Sequence, residues 1–489
     1  MRVALVTSRA ARELVESYVR ATASLQAFEV AVVDIPVHSI SMLSAETIAK
    51  VIGGSRDVVE RLSKSDLILV PGSVRGDVSV ISKVVGRPVY KASKALALLP
   101  QVLRHVASGG SLDTVEPAEN VVALEPPRVE YVEAFKVNGV SIPLRGPPLV
   151  ISAEIVYWVS GDSFRRTLSR YVSEGAQVIV VGSSFESSPE SLADKVSAVV
   201  ELGYPALVEA PSLDHARKAL DSGASGLIVS SESVDSILGL LPSDGVLVVG
   251  DRSVERLSES VKKAREVGVW KIIVDPVVGI PLVDFSQTVE RYRSASKLGL
   301  PTLFSSANVT EEVEADSHSL HALLSALAVE LGASLYHVVE DSYMTLHSVS
   351  EAREALRLAV EAYTRRESMK GYHSRLLIVK QANRPEGSTL GPGERVGYVE
   401  PRWDRRGYVR VEVDHVRGVI VVAYIGYDGS RVVVEGTHGP SVARALVRKA
   451  GLDAEHATYL GYEVSKAEIA LKLGKTYIQD EDLLVTPWG

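Results

Sequence analysis

Between Leu149 and Arg365 one pattern repeats eight times without a break. Apolar, β-branched runs begin near Leu149, Gln177, Pro205, Ser225, Gly245, Lys271, Pro301 and Ser334. A helical stretch follows each: 163–172, 190–202, 213–221, 234–241, 254–267, 285–298, 317–331 and 350–365. Gly or Pro separates most of them, as in Glu201-Leu-Gly-Tyr-Pro205. Short runs apolar on both faces belong in a parallel sheet covered by helices. Eight such units over about 215 residues are the size of a (β/α)8 TIM barrel. An open doubly wound sheet is the alternative, and unbroken alternation favours closure.

A barrel gathers its ligand groups at the carboxyl ends of its strands. In order those ends carry Glu154, Ser183 with Ser184, Glu209, Ser230 with Ser231, Asp251 with Arg252, Asp275, Asn308, and Glu340 with Asp341. Two runs are the most pointed. Lys271–Pro281 ends its apolar strand on Asp275, and Pro301–Thr310 ends on Ser305, Ser306 and Asn308. Asp275 could equally fill a turn before Pro276. The ring is polar and acidic, with Arg252 as its one basic member. It suits a neutral heterocycle rich in N–H donors better than a phosphate ester.

The barrel is expected to span 147–368, between two further domains. Residues 1–146 read as a parallel α/β domain of Rossmann or flavodoxin type, with strands at Val3–Thr7, Glu29–Asp34, Leu67–Val70 and Pro88–Tyr90. Pro71-Gly-Ser-Val-Arg-Gly-Asp77 follows its third strand. Gly72, Gly76 and Lys91 are candidate anion contacts there, against the plainer reading of a tight turn and a solvated lysine. Residues 110–148 are proline-rich (Pro126 and Pro127 among them) and read as short edge strands or hairpins. Gly146-Pro-Pro148 marks the boundary. Residues 369–489 read as α+β, with strand-like runs at 375–380, 397–400, 408–413, 419–424 and 431–435. Tyr427-Asp-Gly429 is a hairpin turn. Helices open at Gly439-Pro440 and cover 462–474, and the tail Tyr477–Trp488 packs back.

The chain has 489 residues and a net charge of −8, which argues against nucleic acid as the main partner. It has no cysteine, which removes disulfides, thiolate metal sites and a thiol nucleophile. No leader precedes the first strand run, and no apolar stretch approaches the ~20 residues of a membrane helix, so a soluble cytoplasmic protein is expected. Few Met and many Glu, Arg and Val point to a thermophile.

The residues also resemble a known family. Residues 149–360 are similar to the pterin-binding barrels, the dihydropteroate synthases and the methyltransferases that pair methyl-tetrahydrofolate with corrinoid proteins. Ile273-Val-Asp-Pro-Val-Val-Gly-Ile-Pro281 resembles the Asp-Pro strand end that holds the amino-pyrimidine ring, and Ser306-Ala-Asn-Val-Thr310 resembles the methyltransferase strand end whose Asn reaches the pterin near N5. The unit Ala206–Val229 and the run Asp162-Ser-Phe164 carry further likeness. Over nearly its full length the chain resembles an archaeal dihydropteroate synthase-related family, down to Tyr459-Leu-Gly-Tyr-Glu-Val-Ser-Lys-Ala-Glu-Ile-Ala-Leu471. The resemblance implies a pterin held by Asp275 and Asn308; the strand-end residues Glu209, Ser183, Ser230 and Glu340 are expected to line the same pocket, with no certain cofactor besides the pterin and no metal expected. It implies a transferase of folate or methanopterin-type metabolism, forming a C–N bond or moving a methyl group, and commonly a homodimer. Three departures stand out. Trp158 replaces the synthase Asn of the first strand. The second strand, Val178-Ile-Val-Val-Gly182, lacks the synthase Asp. The basic loop after strand seven is replaced by Ser-Ala-Asn-Val-Thr-Glu-Glu. Without that basic loop a displaced pyrophosphate lacks charge neutralisation. A non-catalytic pterin-binding scaffold with a corrinoid partner is the second reading. A metal-dependent hydrolase using His318 and His321, with Glu314 and Asp316 nearby and His337 and His347 flanking strand eight, is the third.

Overall fold

The computed structural model describes residues 1–21, 29–122, 129–370, 375–380, 393–402 and 404–484. The four N-terminal runs form strands β1 (Arg2–Ser8), β2 (Glu29–Ile35), β3 (Leu67–Val70) and β4 (Val89–Lys91), parallel in the order β2-β1-β3-β4. Their alternating side chains feed two cores. Ala4, Val6, Ile68 and Val70 meet Ile48, Ile52 and Leu62 on one face. Val3, Leu5 and Leu69 meet Leu99, Val102 and Leu103 on the other. Ser44 and Ser55 start the helices Ala45–Gly53 and Arg56–Ser63 by accepting from the N–H groups of Thr47 and Val58.

The candidate anion contacts of this domain have internal duties. Lys91 is not solvated: it is 5% exposed, and its Nζ donates to the Val115 carbonyl at 2.6 Å. The Gly72 N–H donates to the Ser93 carbonyl at 3.0 Å. Gly76 lies beside the Glu46 carboxylate, which opposes an anion.

A hairpin of β5 (Glu133–Val137) and β6 (Val140–Pro143) lies within the irregular stretch before the boundary. The eight strands that follow are β7 (Val150–Ile155), β8 (Val178–Val181), β9 (Ala206–Glu209), β10 (Gly226–Ser230), β11 (Val246–Gly250), β12 (Lys271–Asp275), β13 (Leu303–Ser305) and β14 (Leu335–Val339). Their order is β12-β11-β10-β9-β8-β7-β14-β13, all parallel. The single bridge Val274↔Thr302 and the bond from Val274 N–H to the Pro301 carbonyl (3.0 Å) close the barrel between β12 and β13. Alternation sorts the strand residues. Ile151, Ala153, Ile179, Val181, Leu247 and Ile272 face the helices. Val150, Val180, Leu207, Val248, Ile273, Leu303 and Leu335 fill the interior, together with Val137 and Ile142 of the hairpin. The hairpin thus plugs the amino end of the barrel.

The last domain is an antiparallel sheet of β15 (Gly407–Asp414), β16 (Val419–Gly426) and β17 (Arg431–Gly436), with helices Gly439–Ala450 and Ala454–Leu473 on one face. The expected turn is present: Gly429 has φ 83°, and the Gly426 N–H donates to the Ser430 carbonyl. The second helix begins earlier than the periodicity predicts, because Asp453 caps it by accepting from the His456 N–H. No strand forms at 375–380 or 397–400. These runs have the composition of strands but no neighbouring run to pair with among the described residues. Residues 123–128, which include Pro126 and Pro127, and the end of the tail with Trp488 lie outside the described residues.

The chain divides into two compact units, Met1–Val339 with His347–Lys380, and Glu340–Leu346 with Gln381–Gly489. The expected boundary near 146 therefore separates two cores but not two compact units. The second boundary moves from 369 to about 381. In the second unit Glu463 and Lys466 are both buried. Lys466 Nζ lies 2.7 Å from Glu463 Oε1, and the Tyr477 hydroxyl donates to Oε2 at 2.6 Å. This pair fastens the tail to the long helix. Glu463→Ala removes the only carboxylate paired with the Lys466 ammonium among the described residues, leaving it the Glu481 carbonyl and the Tyr462 ring. It is expected to lower the stability of this unit by roughly 3 kcal/mol, read as lost hydrogen-exchange protection in β15 and β16. Unchanged protection would contradict the assignment.

Candidate functional site

The interior of the barrel changes character along its axis. Most inward rows start apolar at the plugged end and finish polar at the carboxyl end, the rows of β8 and β11 ending instead on Gly182 and Gly250. Val150 leads to Ser152 and Glu154, Leu207 to Glu209, and Ile228 to Ser230. Val248 leads to Gly250, Ile273 to Asp275, Leu303 to Ser305, and Leu335 to His337. The register puts Ser230, Gly250 and Asp275 side by side, and His337 beside both Ser152 and Ser305.

Asp275 is the centre of this ring. Its Oδ1 accepts from the Val277 N–H at 2.8 Å. Val277 has φ 61°, a costly conformation for a β-branched residue, and it turns that N–H back toward the carboxylate. Burial lifts the Asp275 carboxyl from 3.8 to about 6, against the opposing pull of the Val277 N–H, His337 and Arg291. Gly250 puts no side chain in the space beside Asp275, since a Cβ there would lie 3.9 Å from Oδ2. Glu209 is also pushed up, first by burial and then by Glu154, with His337 opposing. Glu209 itself remains exposed to solvent.

Asn308 reaches the same rim from the helix Ala307–Thr310 and donates from Nδ2 to the Val278 carbonyl at 2.7 Å. It ties the end of β13 to the loop after β12, across the closing seam. Ser230 Oγ pairs with Ser233 Oγ at 3.2 Å, and Ser183 Oγ is buried with no partner among the described residues. Ser231 donates to Asp251, and Arg252 pairs with Asp284 at 3.0 Å, so this part of the expected ring is engaged in its own contacts. Glu340 and Asp341 fall in the segment Glu340–Leu346, which belongs to the second unit. Trp158 lies beyond β7 and is mostly exposed.

Two groups are more prominent than the sequence suggests. Arg291, on the helix Thr288–Ala295, is 7% exposed. Its Nη1 pairs with Asp284 at 2.7 Å, while Nε and Nη2 are buried without partners among the described residues. Nothing in the local sequence separates it from a surface helix arginine. His337 is read from sequence only as a flank of strand eight. Its place two residues after the inward Leu335 is the signal that would have set it inside the barrel. His321 is wholly buried, and its Nδ1 lies 3.0 Å from the Tyr336 hydroxyl behind β14. Burial lowers it to about 3. Among the described residues no group of three or more His, Asp or Glu could hold a metal ion.

Asp275 has a consequence for stability. An acid whose folded-state pKa lies above its unfolded value contributes stability below about pH 3.8 and loses that contribution as pH rises through about 6. Above that the native barrel carries a buried charge. Asp275→Asn is therefore expected to stabilise the protein at pH 8 by on the order of 2 kcal/mol and to change little at pH 4. Denaturant unfolding at the two pH values checks this; equal effects at both would refute it.

Residues 403–480 match the family model PterinBD-DUF4346. An uncharacterised protein of Methanocaldococcus jannaschii is 23% identical over 504 residues, which covers 93% of this chain and 95% of that one. Among solved structures, the dihydropteroate synthase of Thermus thermophilus in complex with 6HMPPP aligns at 21% identity and TM-score 0.40, over 48% of this chain and 100% of its own. The Xanthomonas albilineans enzyme in complex with 7,8-dihydropteroate aligns at 18% and 0.36, over 45% and 93%. Among the described residues no helix is long and apolar enough to cross a membrane. The PterinBD-DUF4346 match is confined to residues 403–480, whereas the likeness to the Methanocaldococcus jannaschii protein runs over most of both chains.

Proposed function

We propose that the barrel binds a pterin through Asp275 and that the chain is a transferase of folate or methanopterin-type metabolism, acting at or next to the pterin ring. The observation that carries this is the Asp275 carboxylate. It sits at the end of an apolar shaft with Oδ1 anchored by one backbone N–H and Oδ2 directed to no donor among the described residues. An amino-pyrimidine edge offers two adjacent N–H donors, which match a carboxylate in a bidentate, charge-assisted pair. Glu209 and Ser230 supply further acceptors on neighbouring walls. Asn308 commits its amide N–H to Val278 and keeps its carbonyl for a ring N–H.

The chemistry on offer favours one-carbon or other group transfer over pyrophosphate displacement. The loop after β13 is acidic, and Arg252 and Arg291 near the mouth are both committed to Asp284. A leaving pyrophosphate would therefore compete with Asp284 for both arginines.

Calorimetric titration with a dihydropterin and with a methylated tetrahydropterin tests the reading. Wild-type protein is expected to bind at least one. Asp275→Ala should weaken that affinity by about a hundredfold, the scale of a lost charge-assisted pair. Affinity should also fall as pH drops below about 6, because protonation removes one acceptor from Asp275. Binding that survives Asp275→Ala unchanged, or no binding to either ligand, would overturn it.

A further inference from the structure

Pterin recognition leaves one wall of the mouth unused. On that wall β14 and β7 bring three side chains into a row. The register pairs His337 with Ser152 and Val339 with Glu154, so two inward residues of β7 bracket one imidazole. Ser152 Oγ lies 3.1 Å from His337 Nδ1, and Glu154 Oε2 lies 3.6 Å from Nε2. Ser152 is fully buried and His337 is 7% exposed. Gly182 makes room for the acid, because a Cβ there would stand 2.7 Å from Glu154 Oε1. Both ring nitrogens are thus met from a single strand, which fixes the orientation of the imidazole.

The charged groups facing His337 come from three elements. Glu154 stands on β7, Glu209 on β9 and Asp275 on β12, and the last two both sense the imidazole. Ser306 bonds the His337 carbonyl, not its ring. Tyr336 and His321 lie on the far side of β14. An imidazolium at this point faces carboxylates on three sides. Its contact to Glu154 is nonetheless long for a hydrogen bond. Such a contact leaves Nε2 open to a second partner.

We propose that His337, held between Ser152 and Glu154, is the proton carrier of the barrel and donates to a ring nitrogen of the ligand seated on Asp275. The identity of that ligand rests on the pterin reading. In the step the Nε2–H bond breaks and its electron pair stays on the imidazole. The lone pair of the ligand nitrogen takes the proton, and the positive charge passes to the ligand. Water restores the proton to His337 afterwards. A pterin is a fitting acceptor class because its pyrazine nitrogens gain leaving ability or electrophilicity on protonation.

Two measurements decide this. In the first, the ring nitrogens of ¹⁵N-histidine-labelled protein are followed against pH without ligand. Glu154→Gln is expected to change the His337 Nε2 resonance across the series, because it alters the group 3.6 Å from that nitrogen; identical spectra would overturn the proposal. In the second, dihydropterin binding is measured calorimetrically in buffers of different ionisation enthalpy. Wild type is expected to take up close to one proton per ligand near pH 8, and His337→Gln to bind with almost none. A His337→Gln protein that binds with wild-type uptake sinks the proton role and leaves the pterin reading intact. Absence of binding by every form removes both. Thermal melts of each variant confirm that the fold is kept.

Discussion

The site depends on closing a parallel sheet across its weakest join. Seven of the eight strand contacts are continuous ladders, but β12 and β13 share a single bridge, to which the bond from Val274 N–H to the Pro301 carbonyl belongs. Side chains carry the rest of the seam. Tyr292 packs on Phe304 at 5.3 Å between ring centres and donates to the Leu303 carbonyl, and Phe304 stacks on Tyr336 at 5.8 Å. Asn308 crosses the rim to Val278. Asp275 stands at the top of this seam, so the pieces that close the barrel also position the carboxylate.

Electrostatic imbalance at the mouth follows from the same geometry. A shaft lined by Val, Leu and Ile strips water from whatever polar group ends it. Asp275 and Glu209 both carry a desolvation cost, and the nearby compensations are partial: a strained backbone N–H, an imidazole, and an arginine with two unpartnered nitrogens among the described residues. Groups kept in such a state are receptive to a ligand that brings the missing donors. The stability lost to the buried charge is the counterpart of that receptivity.

Much of this was legible along the chain. The eight barrel strands and the four strands of the first sheet lie within a residue or two of the expected positions, because strands buried on both faces are written as continuous apolar runs with Gly and Pro between them. Asp275 and Glu209 stood out as charges closing such runs. The failures share one cause. Lys91 and Gly72 sit at strand ends like the candidate site residues of the barrel, yet their polar atoms are taken by Val115 and Ser93. The runs at 375–380 and 397–400 have strand composition without a partner strand among the described residues. Spacing along a chain cannot report which distant group will occupy a donor.

The sequence by itself determined the class of fold and the identity of the strand ends, since periodicity and punctuation are local properties that follow from backbone sterics and burial. It could not place His337 against Ser152 and Glu154, which are more than 180 residues away in the chain. It could not bury Arg291 beside Asp284 or assign Glu340 to the other unit. Those outcomes depend on sheet register and on the closing of the barrel. Both are set by the summed packing of all eight units, and so no single stretch of residues encodes them.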